Sequence, residues 1–76
     1  MTNVELKNKA VEWLWKQSEI CKTRPYMFAP KEVTDAIGGV HTALGTIKDA
    51  VIKELIKRGV KIHYLKKGNK RFFELL

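Results

Sequence analysis

The sequence predicts a small α+β domain, mainly helical, in which three helices precede a C-terminal β-hairpin. Three observations carry that expectation. Apolar residues recur at three- and four-residue steps between Leu6 and Leu55. After Gly59 the period changes to two, the spacing of a strand with one buried face. Between the two alternating runs stands Gly68-Asn69, a two-residue hairpin signal. The chain has 76 residues, so a single domain over 1–76 is expected, and 45% hydrophobic with 30% charged residues is a globular composition.

The first helix is placed at 3–21. Thr2-Asn3-Val4-Glu5 fits a capping box, in which the hydroxyl accepts from the Glu5 N–H and the carboxylate reaches back. Leu6, Ala10, Trp13/Leu14, Gln17 and Cys21 then follow at helical steps, and Glu5/Lys9 and Glu12/Lys16 are i,i+4 pairs on the solvent face. Trp13 and Trp15 lie about 200° apart around the helix, so both rings cannot enter one core. The second ring is left as an edge residue or as a contact for a partner. Lys22 to Ala29 connects, with Tyr26-Met27-Phe28 either a short strand or a set of apolar rings tucked under the first helix.

The second helix is expected at 30–37. Pro30 needs no N–H at the first helical position, and Val33 and Ile37 share a face. Gly38-Gly39 stops it and permits positive φ. The third helix is placed at 42–58, with Leu44, Ile47, Val51 and Leu55 as its stripe, widened by Ile52 and Ile56. Thr42, Thr46, Asp49, Lys53 and Lys57 occupy the opposite face. Gly45 weakens the first turn by about 1 kcal/mol relative to Ala, so a later start is an alternative, with Thr46 and Asp49 as a capping pair. Gly59 is the natural C′ residue.

The hairpin spans 60–75. Its turn sets Lys66 opposite Arg71, Leu65 opposite Phe72, Tyr64 opposite Phe73, His63 opposite Glu74 and Ile62 opposite Leu75. Val60, Ile62, Tyr64, Phe73 and Leu75 then face the helices. Lys66, Lys67, Lys70 and Arg71 crowd the tip, where their mutual repulsion would be relieved by a polyanion.

Net charge is +7, and the excess is uneven: +2 over 1–30, +1 over 31–59 and +4 over 60–76. A sequence pI of about 9.8 fits a nucleic-acid footprint. One cysteine, Cys21, excludes an internal disulfide. With no signal-peptide pattern and no apolar run of membrane-spanning length, a cytoplasmic location is expected, nucleoid-associated if the source is bacterial or viral. His41 and His63 have no partners at metal-ligand spacing, and no nucleophile–base set or phosphate-cradling glycine loop is present. No enzyme activity, metal, cofactor or small-molecule ligand is expected.

Helix, turn, helix and basic hairpin in this order resemble the winged helix-turn-helix family over essentially the whole chain. Val33, Ile37, Gly38, Leu44 and Ile47 match the apolar and glycine positions of its helix-turn-helix, and Leu55, Gly59 and Val60 to Leu75 match the end of the recognition helix and the wing. The doubled glycine followed by Val40 and His41 departs from that motif and lengthens its turn. The resemblance implies double-stranded DNA binding, with His41, Thr42, Thr46, Asp49 and Lys53 as candidates on the helix and Lys66, Lys67, Asn69, Lys70 and Arg71 on the wing.

The chemistry of those positions shifts the emphasis toward the wing. The helix face lacks Arg, Asn and Gln, the side chains that make bidentate base contacts, and Asp49 there would repel phosphate. The expectation is a small transcriptional regulator of prokaryotic or viral origin with phosphate contacts from the wing and weak base readout from the helix. A homodimer through Trp13 or Trp15, Leu65 and Phe72 would suit a two-fold site. The alternative is a winged-helix module that captures a protein partner, since fold does not fix function.

Overall fold

The computed structural model describes residues 2–76. Its elements, in chain order, are α1 (Asn3–Ile20), β1 (Tyr26–Phe28), α2 (Pro30–Ile37), α3 (His41–Thr46), α4 (Lys48–Lys57), β2 (Ile62–Lys67) and β3 (Lys70–Leu75). The fold is α+β and mainly helical, as the sequence predicts, with a three-stranded antiparallel sheet in the order β1-β3-β2. Tyr26-Met27-Phe28 takes the strand option, pairing with Leu75, Glu74 and Phe73 and placing β3 in the middle of the sheet.

Helix α1 begins as its sequence dictates. Thr2 Oγ1 accepts from the Glu5 N–H at 3.2 Å, while the Glu5 carboxylate receives the Thr2 hydroxyl rather than the Thr2 backbone N–H. Leu6, Ala10, Val11 and Leu14 are buried, and this stripe packs on α4 and α2. At the far end, the Arg24 guanidinium donates to the carbonyls of Ser18, Cys21 and Leu76, tying the end of α1 to the end of β3. The pairs Glu5/Lys9 and Glu12/Lys16 do not close. Glu12 Oε1 instead accepts from Arg58 Nη1 at 2.8 Å.

Trp13 is the ring that joins the core, standing edge-on to Phe28 with centroids 5.1 Å apart. Trp15 stays 38% exposed, with the Arg58 guanidinium 5.3 Å from its ring centre. Cys21 is half-buried against the core and its thiol donates weakly to the Thr23 carbonyl.

In α2, Val33 is fully buried and Ile37 half-buried. Thr34 is buried too, its hydroxyl satisfied by the Pro30 and Lys31 carbonyls. Gly38 and Gly39 both take positive φ, 88° and 99°, so the doubled glycine is what the turn requires.

The expected single helix over 42–58 is corrected by the structure. It is two helices, α3 and α4, separated at Ile47, whose φ of −105° and ψ of 13° lie outside the α-helical region. The Ile47 N–H donates to the Leu44 carbonyl, closing α3 with a tighter i→i−3 turn. Gly45 lowers helix propensity just before this point. The Thr46 hydroxyl also donates back to the Thr42 carbonyl at 3.1 Å, a bond that bends helices. Thr46 therefore does not cap α4, and the Thr46/Asp49 capping pair does not form. Ile56, assigned to the buried stripe, is 57% exposed, whereas Leu44, Val51 and Leu55 are fully buried.

Helix α4 ends in a Schellman motif. Val60 N–H donates to the Leu55 carbonyl and Gly59 N–H to the Ile56 carbonyl, each at 3.0 Å, with Gly59 at φ 84°. Leu55 and Val60, the apolar pair that accompanies this motif, are both buried. The hairpin has the expected register throughout, with Lys67 and Lys70 also paired at its end. Gly68 takes φ 62° and Asn69 does not take positive φ, the arrangement of a type II′ turn. Ile62, Phe73 and Leu75 are buried, and Tyr64 packs half-buried against Phe73.

Gly59 and Gly45 lead to opposite outcomes for the same added methyl. Gly59→Ala meets no steric obstacle but forces an L-residue into left-handed backbone, so it is expected to destabilise by about 1–2 kcal/mol and lower Tm by roughly 5–10 °C. Gly45→Ala sits in helical backbone with only ordinary contact to the Tyr64 hydroxyl at 3.9 Å, so it is expected to stabilise by up to about 1 kcal/mol. Thermal and urea unfolding of the two variants checks both signs.

Candidate nucleic-acid interface

The hairpin emerges past the edge of the helices because its inner face is anchored by Ile62, Tyr64, Phe73 and Leu75 and its register is fixed by the turn. Lys66 and Arg71 are the next pair outward on that same face, directly opposite each other. They stand where the sheet loses its helical cover. Helix α3 begins nearby, because Gly38-Gly39 reverses the chain after α2.

These two projections enclose a cleft of about 650 Å³. His41, Thr42, Gly45 and Thr46 of α3 line one wall, Tyr64, Asn69, Lys70 and Arg71 of the hairpin the other, and Ala29, Pro30 and Lys31 its end. Of the residues singled out in the sequence, the structure thus gathers His41, Thr42, Thr46, Asn69, Lys70 and Arg71 into one place. Lys66 and Lys67 are exposed at the same tip but outside the cleft lining, and Lys53 lies on α4, away from it. Asp49 is on α4 as well and does not line the cleft. It follows the break at Ile47, whereas the wall is formed by α3.

Lys31, Gly45 and Tyr64 are cleft residues that sequence reasoning did not single out. Lys31 pairs with Asp35 at 3.1 Å on an exposed helix face, so the pair holds it weakly. Alternation along β2 assigns Tyr64 to the core, and its ring does pack there. Lys48 sits 5.5 Å from the centre of that ring, a cation–π contact, and the hydroxyl reaches toward Gly45. The signal available in the sequence was that a tyrosine, with an apolar body and a polar tip, suits a boundary position.

The hydrogen-bonding capacity of the cleft is unevenly committed. The Thr46 hydroxyl proton is used within α3, which leaves its oxygen to accept and its methyl to make apolar contact. Thr42, His41, Asn69 and Arg71 make no side-chain hydrogen bond to other described residues, so their donors are open to a ligand. His63, by contrast, is spent on Glu74, at 2.5 Å across the hairpin on its outer face. Leu65 and Phe72 face each other on that outer side, half-buried, and do not share the groove beside Trp13 and Trp15.

Among the described residues no group of three or more His, Cys, Asp or Glu side chains could hold a metal ion, and no helix is long and apolar enough to cross a membrane. Comparison with protein-family models finds no match, and comparisons with curated proteins and with solved structures find none of significance.

Because the Tyr64 hydroxyl has no hydrogen-bond partner among the described residues, Tyr64→Phe is expected to leave stability within about 0.5 kcal/mol of the parent. Tyr64→Ala, which removes the ring packed on Phe73, is expected to cost about 3 kcal/mol or more. Chemical denaturation of the pair checks that the ring, and not the hydroxyl, is structural.

Proposed function

We propose that the chain is a winged helix-turn-helix domain that binds double-stranded DNA through the cleft between α3 and the hairpin tip, and that it serves as a small transcriptional regulator. The observation that carries this reading is the convergence of α3's polar side chains with the basic hairpin in one open cleft. Two separate elements of the fold supply it, and its free side-chain groups are mostly donors and cations. Phosphate oxygens are acceptors and anions, so the ligand class follows from that chemistry.

In this reading α2 and α3 form the helix-turn-helix and β2–β3 the wing. The phosphate contacts come from Lys70, Arg71 and the neighbouring Lys66 and Lys67, with Thr42 and His41 donating from the helix. Gly45, lacking a side chain, lets the polynucleotide approach the α3 backbone closely. Thr46 offers a methyl and an acceptor oxygen, suited to a thymine methyl or a base amino group. Asn69 and Arg71 are the side chains best suited to base edges or to a narrow minor groove. The domain's longest extent is 30 Å, enough for roughly nine base pairs at about 3.4 Å each. Sequence discrimination by one copy is therefore weak, and affinity rests on the wing.

If the tip neutralises about four phosphates, log K for a short duplex is expected to fall against log salt with a slope near −3.6. The K66Q/K67Q/K70Q/R71Q variant is expected to bind more weakly and with a much flatter slope. Fluorescence anisotropy over a salt series measures both. A variant that matches the parent in affinity and slope would overturn the role of the wing.

A further inference from the structure

One side chain of the cleft combines a fixed ring with an uncommitted polar tip. The Tyr64 ring stands edge-on to Phe73 with centroids 5.0 Å apart, and Lys48 Nζ lies 5.5 Å from the Tyr64 ring centre. A ring packed in this way is already ordered, so its tip meets a ligand at little further entropic cost. The core requires the ring and not the hydroxyl, which bonds to no described residue. Among the described residues no buried side-chain oxygen or nitrogen lacks a hydrogen-bond partner, so this unpartnered hydroxyl is open to solvent. A methyl at Gly45 would stand 3.9 Å from it, and the glycine leaves that tip uncovered on the α3 side.

Arg71 is the cation that the hairpin register sets beside it. Tyr64 lies opposite Phe73, two residues along β3 from Arg71 and on the same inner face. Diagonal neighbours across a ladder stand about 7–8 Å apart, close enough for two long side chains to share one small group. Arg71 forms no ion pair or side-chain hydrogen bond with another described residue, and both residues line the cleft.

We infer that Tyr64 and Arg71 together seat a single backbone phosphate of the bound duplex, the hydroxyl donating to one oxygen and the guanidinium to another. A phosphate offers acceptors and negative charge, and this pair offers a neutral donor beside a charged fork of donors. The seat rests on the cleft being the surface that binds DNA, and it adds a contact of a different kind from the lysines. A cation that meets phosphate releases counterions, whereas a neutral hydroxyl releases none.

Anisotropy titrations of a short duplex over a salt series test the seat, with the parent, Tyr64→Phe, Arg71→Gln and the double variant. Tyr64→Phe is expected to bind about tenfold more weakly at every salt concentration, since it loses a hydrogen bond to a charged group. Its slope of log K against log salt is expected to equal the parent's. Arg71→Gln is expected to flatten that slope by about one. Without the guanidinium the phosphate is no longer held against the hydroxyl, so in that background Tyr64→Phe is expected to cost about threefold or less. Chemical denaturation checks that each variant is folded under the assay conditions. Tyr64→Phe binding like the parent, or a tenfold loss that persists in full without Arg71, would overturn the seat while leaving DNA binding by the cleft intact. A parent that binds no duplex at low salt would overturn DNA binding itself, and the seat with it.

Discussion

The structure depends on the packing of one face of the C-terminal hairpin against the helices. Ile62, Tyr64, Phe73 and Leu75 form that face, and Phe73 and Leu75 are fully buried in the core that it shares with α1, α2 and α4. A one-residue slip would turn every one of these side chains to solvent, so burial on a single face fixes the register. The type II′ turn at Gly68-Asn69 fixes it from the other end. Once register is set, Lys66 and Arg71 must continue the inner face beyond the helices. Of the tip, Asn69, Lys70 and Arg71 thereby line the cleft beside α3.

That arrangement carries an electrostatic cost. Lys66 stands directly opposite Arg71, and Lys67 opposite Lys70. Like charges directly across a ladder destabilise it, and no carboxylate forms a salt bridge with any of the four among the described residues. The one acid of the hairpin, Glu74, is turned to His63 on the outer face. A polyanion in the cleft would offset this repulsion, so the same feature that weakens the free domain would favour a complex with one. The helical half contributes differently. Asp49, which would oppose a phosphate, lies on α4 beyond the break at Ile47 and does not line the cleft, where α3 presents small polar side chains and a glycine.

Much of the fold was legible in the sequence because strong local signals agreed with burial. The capping threonine, Pro30, the doubled glycine, Gly59 and the hairpin register all follow from backbone chemistry that tertiary contacts reinforce. The break at Ile47 was not legible as such. Gly45 marks a weak turn, but the side chain that completes the break is Thr46, bonded back to Thr42, where its sequence position suggests a cap. The i,i+4 pairs of α1 stay open for a related reason. Glu12 has a distant competitor, Arg58, which only the α1–α4 packing brings within reach. In the cleft, the basic and threonine residues can be named from the sequence, while Lys31 and Tyr64 cannot. Their membership depends on where α2 and the hairpin meet.

The central claim is that one continuous surface, from α3 to the hairpin tip, receives the ligand. Amide chemical-shift mapping during titration with a short A·T-rich duplex at low salt tests it most directly. The account predicts that the largest changes fall on residues 41–46 and 66–71, with the outward face of α1 unmoved. Changes centred on α1, or none at all at low salt, would contradict it.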